Sequence, residues 1–173
     1  MGIDELIGLE ERGALPEFVL FWGGRRAEGR LSQWYPSPFT LDGVEYATAE
    51  HYMMAEKARL FGDRRTEAEI LRDLDPRRAK GLGRRVAGFD EQTWARHRYD
   101  IVVRGSVAKF AARDDLRGYL LSTRGKVLVE ASPLDAVWGI GLDEHSPDAV
   151  RPSRWRGLNL LGFALMDARD ALG

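Results

Sequence analysis

The chain contains no cysteine in its 173 residues, which excludes disulfide bonds and thiolate chemistry. It also has no long apolar run, so neither a membrane span nor a signal peptide is indicated. Its 26 basic and 27 acidic residues nearly cancel. This balance disfavours general binding to nucleic acid or to a membrane surface, although it leaves room for local patches. We therefore expect a cytoplasmic protein with no membrane partner.

The sequence also lacks the common signatures of metal, nucleotide and serine-hydrolase sites. Its three histidines, His51, His97 and His145, are scattered and have no cysteine beside them, so a transition-metal site is not indicated. No Gly-x-Ser-x-Gly elbow is present, and neither glycine cluster matches a Walker loop or a dinucleotide fingerprint. We expect no metal and no redox cofactor. His51 falls on the polar side of its predicted helix, so we expect it at the surface or directly behind a site.

Length and composition predict one domain with a substantial core. Hydrophobic residues make up 44% of the chain, and a chain of this length suits a single domain. We expect that domain to cover residues 1–173, with its core at about 18–172 and a helical extension at 1–15. The spacing of apolar residues predicts a helix-rich α+β fold with little sheet.

Local signals place the elements of this fold. Asp42-Gly43 between two short apolar runs predicts a hairpin. Thr48, Asp75-Pro76, Asp90 and Asn159 each indicate a helix start. The predicted strands are 18–22, 39–41, 44–46 and 126–131, and the predicted helices are 3–12, 48–62, 66–74, 75–85, 90–110, 116–122 and 160–172.

Two charged residues, Glu50 and Lys57, fall on the apolar stripe of the helix that begins at Thr48. At ~100° per residue they share one face with four apolar side chains, those of Met53, Met54, Leu60 and Phe61. Burying an unpaired charge is costly, so such residues need a partner or a purpose. Their Cα atoms are ~10 Å apart, and the tilt of helical side chains lets both heads face one small ligand. In the alternative, Glu50 only complements the helix dipole and Lys57 reaches past its neighbours to solvent.

The loop at 135–141 is a second candidate. Asp135, Trp138 and Gly139 could supply a polar contact, a stacking face and a close backbone approach to a ligand. The alternative is an ordinary turn anchored by its tryptophan. Two further tryptophans, Trp22 and Trp34, lie beside turn residues and could stack on a flat ligand in the same way.

Arginines precede the predicted final helix. Arg151, Arg154 and Arg156 lead into the turn before it, where side chains and helix N–H groups together could bind a phosphate. Arg25-Arg26, after a glycine pair, allows the same interpretation. In both places the alternative is a solvated basic turn.

Six stretches of the chain, taken together and in order, resemble the YbiA-like, or NADAR, family. They are Phe21-Trp22, Leu31 to Phe39, Asp42 to Tyr46, Thr48 to Ala58, Asp135 to Gly139 and Gly157 to Gly162. The family usually has Asn where Gln33 stands and Phe where Trp34 stands, and it commonly has Gln where Glu56 stands. These differences bear on the substrate more than on the reaction. The family is associated with NAD, ADP-ribose and riboflavin metabolism.

The resemblance implies an N-glycosidase, a hydrolase that cleaves the C–N bond between ribose and a base-like amine. Family members are described as acting on phosphoribosylaminopyrimidine intermediates of riboflavin synthesis, or on ADP-ribose attached to guanine in nucleic acid. The expected partners are therefore a small phosphoribosyl or ADP-ribosyl substrate, or an ADP-ribosylated nucleic acid. A non-catalytic module that binds ADP-ribose or a nucleotide is the alternative of another class.

The resemblance also suggests a role for each candidate residue. Glu50 is expected to be the principal acid and base, and Asp135 to bind ribose hydroxyls or orient water. Lys57 is expected to attack C1 of the opened sugar or to hold a ribose oxygen. The tryptophans would stack on the base and the arginines would bind phosphate. The expected substrate-binding residues are Trp138, Gly139, Trp22, Trp34, Ser32, Arg154, Arg156 and Asn159.

Overall fold

The computed structural model describes residues 1–23 and 27–173, so the predicted Arg25-Arg26 site lies outside the described residues. Within them the chain forms seven α-helices and two small sheets of two strands each. The helix-rich α+β fold predicted from the sequence is therefore confirmed. None of the helices in the described part of the chain is long and apolar enough to cross a membrane.

Short strands and longer helices follow one another along the chain. The elements are α1 (Ile3–Glu11), β1 (Phe18–Phe21), β2 (Phe39–Leu41), β3 (Val44–Tyr46), α2 (Ala49–Leu60), α3 (Arg64–Arg72), α4 (Pro76–Gly83), α5 (Glu91–Ala111), α6 (Asp114–Ser122), β4 (Val127–Glu130) and α7 (Leu160–Leu172), with short 3-10 helices at Ala27–Leu31 and Pro152–Arg154. The chain divides into two compact units, which we call the α7 unit (residues 1–32 and 118–173) and the α2 unit (residues 33–117). The single domain expected over 1–173 stays a prediction.

Most helix boundaries follow the caps visible in the sequence. Asp90 starts α5 by accepting a hydrogen bond from the Thr93 N–H at 2.7 Å. Helix α3 begins at Arg64, two residues earlier than predicted, because Asp63 accepts a hydrogen bond from the Thr66 N–H at 3.0 Å. Side chains that accept from the first free N–H groups fix where a helix begins.

The predicted hairpin is confirmed by the pairing of β2 with β3. The strands run antiparallel, with Phe39 opposite Tyr46. Asp42 and Gly43 between them both have positive φ, 52° and 77°. A two-residue turn of the type that fits the twist of a hairpin requires this backbone conformation at both central positions.

Helix α2 is the centre of the α2 unit and packs against α3, α4 and α5. Two glycines allow these close approaches. A Cβ at Gly105 of α5 would lie 2.3 Å from the Tyr52 ring, and one at Gly83 of α4 would lie 1.9 Å from the Met54 sulphur. His51 is only 1% exposed, so the alternative that placed it at the surface is wrong. A sequence pattern with one apolar face predicts one buried face, so it underestimates the burial of a helix that packs against three other helices.

The α7 unit contains a parallel pair of strands from distant parts of the chain. Phe18 of β1 lies opposite Val127 of β4, and Phe21 lies opposite Glu130. Helix α7 packs against β4. The sequence predicts both strands but does not predict that they pair with each other.

Candidate active site

The first turn of α2 is joined to the loop before β2 by a main-chain hydrogen bond. The Glu50 N–H donates to the Gln33 carbonyl oxygen at 3.0 Å. Thr48 caps the helix by accepting from the His51 N–H at 3.4 Å, and its Oγ1 lies 2.8 Å from His51 Nδ1. Two residues predicted for the site are therefore close to this contact. Glu50 takes part in it, and Trp34 directly follows Gln33.

Glu50 is a buried carboxyl, with 3% of its surface exposed. It lies in the first turn of α2, where the helix dipole favours negative charge. Met53, one turn along the helix, is also buried, and its sulphur lies 4.0 Å from the side-chain amide nitrogen of Gln33. A carboxyl placed this way can exchange a proton with a bound ligand in a site from which water is largely excluded.

Lys57 places its ammonium against two aromatic rings. Its Nζ lies 4.0 Å from the centroid of Phe89 and 5.5 Å from that of Trp94. Burial lowers the pKa of this amine, and the Glu91 carboxylate opposes the shift only in part. Within the described part of the chain, no carboxylate forms an ion pair with Lys57. The head of Lys57 is thus partly removed from water, and its role in a site stays a prediction.

Trp34 offers a partly open ring in the α2 unit. It is 37% exposed, and the Nζ of Lys80 on α4 lies 6.0 Å from its centroid. Exposure of this extent leaves room for a flat ligand to stack. The α2 unit therefore contains three of the predicted residues, namely Trp34, Glu50 and Lys57.

Asp135 belongs to the α7 unit and organises its own loop. Its Oδ1 accepts hydrogen bonds from the N–H groups of Val137 and Trp138 at 2.9 and 2.8 Å. This is the pattern of an Asx turn, in which an aspartate side chain replaces a backbone acceptor. The contacts therefore support the interpretation of an ordinary turn anchored by Trp138, and the catalytic role of Asp135 stays a prediction.

Gly139 is required by packing within the α7 unit. A Cβ at this position would lie 2.7 Å from the Glu130 carbonyl oxygen. Gly157 faces the same loop, and a Cβ there would lie 2.3 Å from the Gly139 carbonyl oxygen. Close packing alone therefore explains a glycine at position 139, and the role of Gly139 in substrate binding stays a prediction.

The backbone N–H groups at the start of α7 are already hydrogen-bonded. Those of Leu160 and Leu161 donate to the carbonyl oxygens of Val137 and Trp138, at 3.2 and 3.1 Å. The prediction that these helix N–H groups help to bind a phosphate is therefore wrong for these two residues. Arg151 forms ion pairs with Glu10 at 3.6 Å and with Asp148 at 3.7 Å. The phosphate role of the exposed side chains of Arg154 and Arg156 stays a prediction.

Asn159 stands at the predicted helix start but does not cap α7 with its side chain. It adopts a positive φ of 53°, and its side chain turns to β4. Its Oδ1 accepts from the Glu130 N–H at 3.0 Å, and its Nδ2 donates to the Leu128 carbonyl oxygen at 2.9 Å. The predicted side-chain cap is therefore wrong, because pairing with the strand takes both amide atoms. Its role in substrate binding stays a prediction.

The remaining predicted residues lie near β1 in the α7 unit. Trp22 follows β1 directly and is 49% exposed. Ser32 is half-buried, and its N–H donates to the Gly29 carbonyl oxygen at 3.0 Å. The exposed ring of Trp22 suits stacking, and the substrate-binding role of Ser32 stays a prediction.

The model of the NADAR domain family matches residues 20–173 of the chain. The chain belongs to the NADAR domain family. N-glycosidase R617 of Acanthamoeba polyphaga mimivirus is 41% identical over 162 residues, which cover 89% of this chain and 95% of that protein. The NMR structure of the Escherichia coli protein YbiA matches with a TM-score of 0.75 and 29% identity, covering 91% of this chain and 86% of that one. Riboflavin biosynthesis protein VVA0006 of Vibrio vulnificus is 35% identical over 159 residues, which cover 89% of this chain but 38% of that protein.

Two surface grooves of this NADAR domain are lined by residues other than the predicted catalytic ones. One, of about 480 Å³ in the α2 unit, is lined by Glu69, Arg72, Asp73, Arg78, Gly81, Leu82 and Arg85. The other, of about 310 Å³ in the α7 unit, lies along β1 and α6. Neither is lined by Glu50, Lys57 or Asp135. Among the described residues, no group of three or more histidines and carboxylates is placed to hold a metal ion.

Sequence reasoning missed the aromatic surroundings of Lys57 in this NADAR domain. Phe89 lies just before α5, and Trp94 lies in its first turn. The only signal available in the sequence was a pair of aromatic residues on either side of the helix cap Asp90. Their contact with α2 depends on how α5 packs, which the local pattern does not contain.

Proposed function

We propose that this protein hydrolyses an N-glycosidic bond between a ribose and an amine. Helix α2 contains both the buried carboxyl of Glu50 and the partly desolvated amine of Lys57, and the proposal rests on their presence on this one helix. Membership of the NADAR family supports it, and the relatives R617 and YbiA both carry the name N-glycosidase.

Cleavage of such a bond makes two demands on the site. The departing amine needs a proton, and the anomeric carbon develops positive charge that nearby carboxylates can stabilise. Glu50 meets the first demand by donating its proton to the leaving nitrogen, and the carboxylate that results meets the second by stabilising the positive charge. The same carboxylate then accepts a proton from the attacking water. Asp135 is the proposed partner that binds ribose hydroxyls or orients this water.

Lys57 has two proposed roles that differ in whether a covalent bond forms. In the first, the bond between C1 and the ring oxygen breaks, the oxygen takes a proton from Glu50, and the nitrogen lone pair forms an iminium with C1. The neutral Lys57 amine then adds to that carbon. A proton passes through Glu50 to the original nitrogen, which leaves as the free amine, and Lys57 remains bound to C1 as a new iminium. Water then adds to C1, releasing the sugar as its aldehyde and restoring the lysine. In the second role, Lys57 only holds a ribose oxygen while water attacks directly.

The proposed substrate is a phosphoribosylaminopyrimidine of the riboflavin pathway. It presents a flat ring for Trp138, Trp34 or Trp22 to stack on and a phosphate for the side chains of Arg154 and Arg156. The name of the Vibrio vulnificus relative supports this substrate class. Only the ribose C–N bond is broken, so the products are ribose phosphate and the free aminopyrimidine.

The experiment is direct. The purified protein is incubated with a phosphoribosylaminopyrimidine, and ribose 5-phosphate and the aminopyrimidine are followed by chromatography. Catalytic release of both products in equal amounts is expected. Binding of the substrate, seen as a shift in melting temperature, without release of either product would instead support the non-catalytic binding module. Borohydride added during turnover is expected to trap sugar on Lys57 if the covalent route operates.

A second candidate function is removal of ADP-ribose from guanine in a nucleic acid, and the arginine-lined groove of the α2 unit favours it. Both acids of that groove are paired, Glu69 with Arg65 at 3.1 Å and Asp73 with Arg78 at 3.5 Å. The two other arginines of the groove are Arg72 and Arg85. The described residues provide no ion-pair partner for either of them, so both can contact phosphates.

Salt dependence separates the two substrates. Each phosphate contact to a single strand lowers log K by about 0.7 per decade of salt. If an ADP-ribosylated oligonucleotide is the substrate, its KM rises with salt, and changing both Arg72 and Arg85 to alanine weakens this dependence. Turnover of the small phosphoribosyl substrate is expected to stay unchanged in that variant. Arg96→Ala, at an exposed position of α5, is the control.

A further inference from the structure

The amine of Lys57 is held by rings rather than by a carboxylate. Its Nζ lies over the face of Phe89, 4.0 Å from the centroid, and 5.5 Å from that of Trp94. Phe89 is itself supported by Phe61, whose ring meets it edge-on at 5.4 Å. Trp94 is 6% exposed in the first turn of α5. The contact is therefore built from α2, α5 and the segment just before α5, all within the α2 unit.

The charged groups around Lys57 do not account for this arrangement. From α5, the Glu91 carboxylate raises the pKa of the lysine, but it forms an ion pair with Arg98, at 3.4 Å. On α2 itself, Glu56 pairs with Arg59. Within the described part of the α2 unit, no charged group of α3 or α4 shifts the lysine further. Removal from water is the largest influence on the amine.

We propose that Phe89, itself 42% exposed, and the buried Trp94 are positioning residues for Lys57, which fix its amine in one place and partly shield it from water. The inference rests on the proposed function, because it assumes that Lys57 acts on the sugar. In the resting protein this partial shielding from water favours the uncharged amine that can attack C1. Once the iminium has formed, the face of Phe89 attracts the positive charge that now lies on the same nitrogen. Phe89 would thus assist both the attack and the intermediate.

The two contributions of Phe89 can be separated by substitution. Phe89→Leu keeps apolar volume beside the amine but removes the ring face, whereas Phe89→Ala removes both and admits water. Phe89→Ala is expected to raise the pKa of Lys57, because the amine becomes more exposed to water, and so to reduce the fraction of uncharged amine at neutral pH. Phe89→Leu is expected to leave the pKa low but to reduce kcat, because the intermediate loses the ring. Trp94→Phe should have the smaller effect, since its ring is farther away.

The test is an NMR titration of the lysine side chains in the substrate-free protein, which is feasible because the chain has only four lysines. Lys126 serves as the internal reference, and Leu74→Ala, at an exposed position of the α2 unit, controls for loss of apolar volume. A rise in the pKa of Lys57 in Phe89→Ala and its absence in Phe89→Leu support the inference. A matching shift of the pH profile of kcat to higher pH in Phe89→Ala, with KM unchanged, supports it further.

Failure of this inference differs from failure of the proposed function. If folded Phe89→Ala leaves the Lys57 titration unchanged, Phe89 does not position the amine, whatever the activity of the protein. If Phe89→Ala fails to fold, Phe89→Leu and Trp94→Phe decide the question. The proposal would be overturned by two results together. One is a kcat in Phe89→Leu equal to that of wild type, and the other is an unchanged titration of Lys57 in Trp94→Phe. If the rings control Lys57 but no N-glycosidic substrate is cleaved, the proposed function fails and the positioning of the amine stands.

Discussion

The N–H of Glu50 donates to the carbonyl oxygen of Gln33 at 3.0 Å. This bond joins two stretches that look separate in the sequence, the loop around Trp34 and the start of α2. It also satisfies one of the N–H groups that a helix leaves unpaired at its beginning. Glu50 is thereby held at a fixed position on a well-anchored helix, as a residue that transfers protons requires.

His51 makes the stability of the protein depend on pH. Its burial lowers its pKa below the usual 6.5, while Asp73 opposes this shift in part. Above 6.5 both the folded and the unfolded protein carry a neutral imidazole, so this contribution to stability is fully present. As pH falls through 6.5, the unfolded chain takes up a proton that the folded protein resists, so the free energy of unfolding decreases by at most about 1.4 kcal/mol per pH unit.

Denaturant unfolding between pH 7.5 and 5, by about half-unit steps, measures this effect against the titration range of histidine. His51→Gln should lower stability at neutral pH but give a flatter dependence on pH than wild type. His97→Gln, at an exposed position of α5, is the matched control and should keep the wild-type slope. Equal slopes in wild type and His51→Gln would show that His51 is not the responsible group.

Gly105 should be intolerant of even a single added carbon. A Cβ there meets the Tyr52 ring at 2.3 Å, and that ring is buried among other aromatic side chains. Overpacking of this kind costs about 1–3 kcal/mol, so Gly105→Ala should unfold at lower temperature. Gly81→Ala in α4 is the matched control, because a Cβ there meets nothing within 4 Å. It should be neutral or stabilise by up to about 1 kcal/mol, since alanine favours helix. Calorimetry of the two variants would contradict this account if their order were reversed.

Asn159 is expected to support the fold through β4. Asn159→Ala removes one buried and one partly buried hydrogen bond and places alanine at a positive φ of 53°. Loss of buried partners costs about 1–3 kcal/mol for each group left unsatisfied. Asn159→Asp keeps the acceptor for the Glu130 N–H but loses the donor to Leu128, so a lower melting temperature is expected in both variants. A normal melting temperature in Asn159→Ala with a raised KM would favour the substrate-binding role instead.

Much of the fold could be read from short stretches of sequence because the signals that determine it are local. The Asp42-Gly43 turn and the caps at Thr48 and Asp90 act within a few residues, and each forms as predicted. The pairing of β1 with β4 could not be read in this way. It depends on how strands from distant parts of the chain meet, which no local pattern contains.

The candidate site was predictable in its residue types but not in its surroundings. Glu50 and Lys57 stand out as charges on an apolar stripe, and the structure gives one a buried position and the other aromatic contacts. The burial of His51 was missed because an amphipathic pattern describes a helix with one buried face. The second interpretation of Asp135, as the organiser of a turn, was available from its sequence and agrees with its contacts.

The most direct measurement of the central claim is the rate of N-glycosidic cleavage in Glu50→Gln. The substitution keeps the size of the side chain and removes the exchangeable proton. Loss of a general acid typically costs about 10²–10⁴-fold in rate, so kcat should fall by that factor while the melting temperature stays close to wild type. Glu45→Gln on the exposed side of β3 is the control and should retain full activity. Full activity in folded Glu50→Gln would contradict the account.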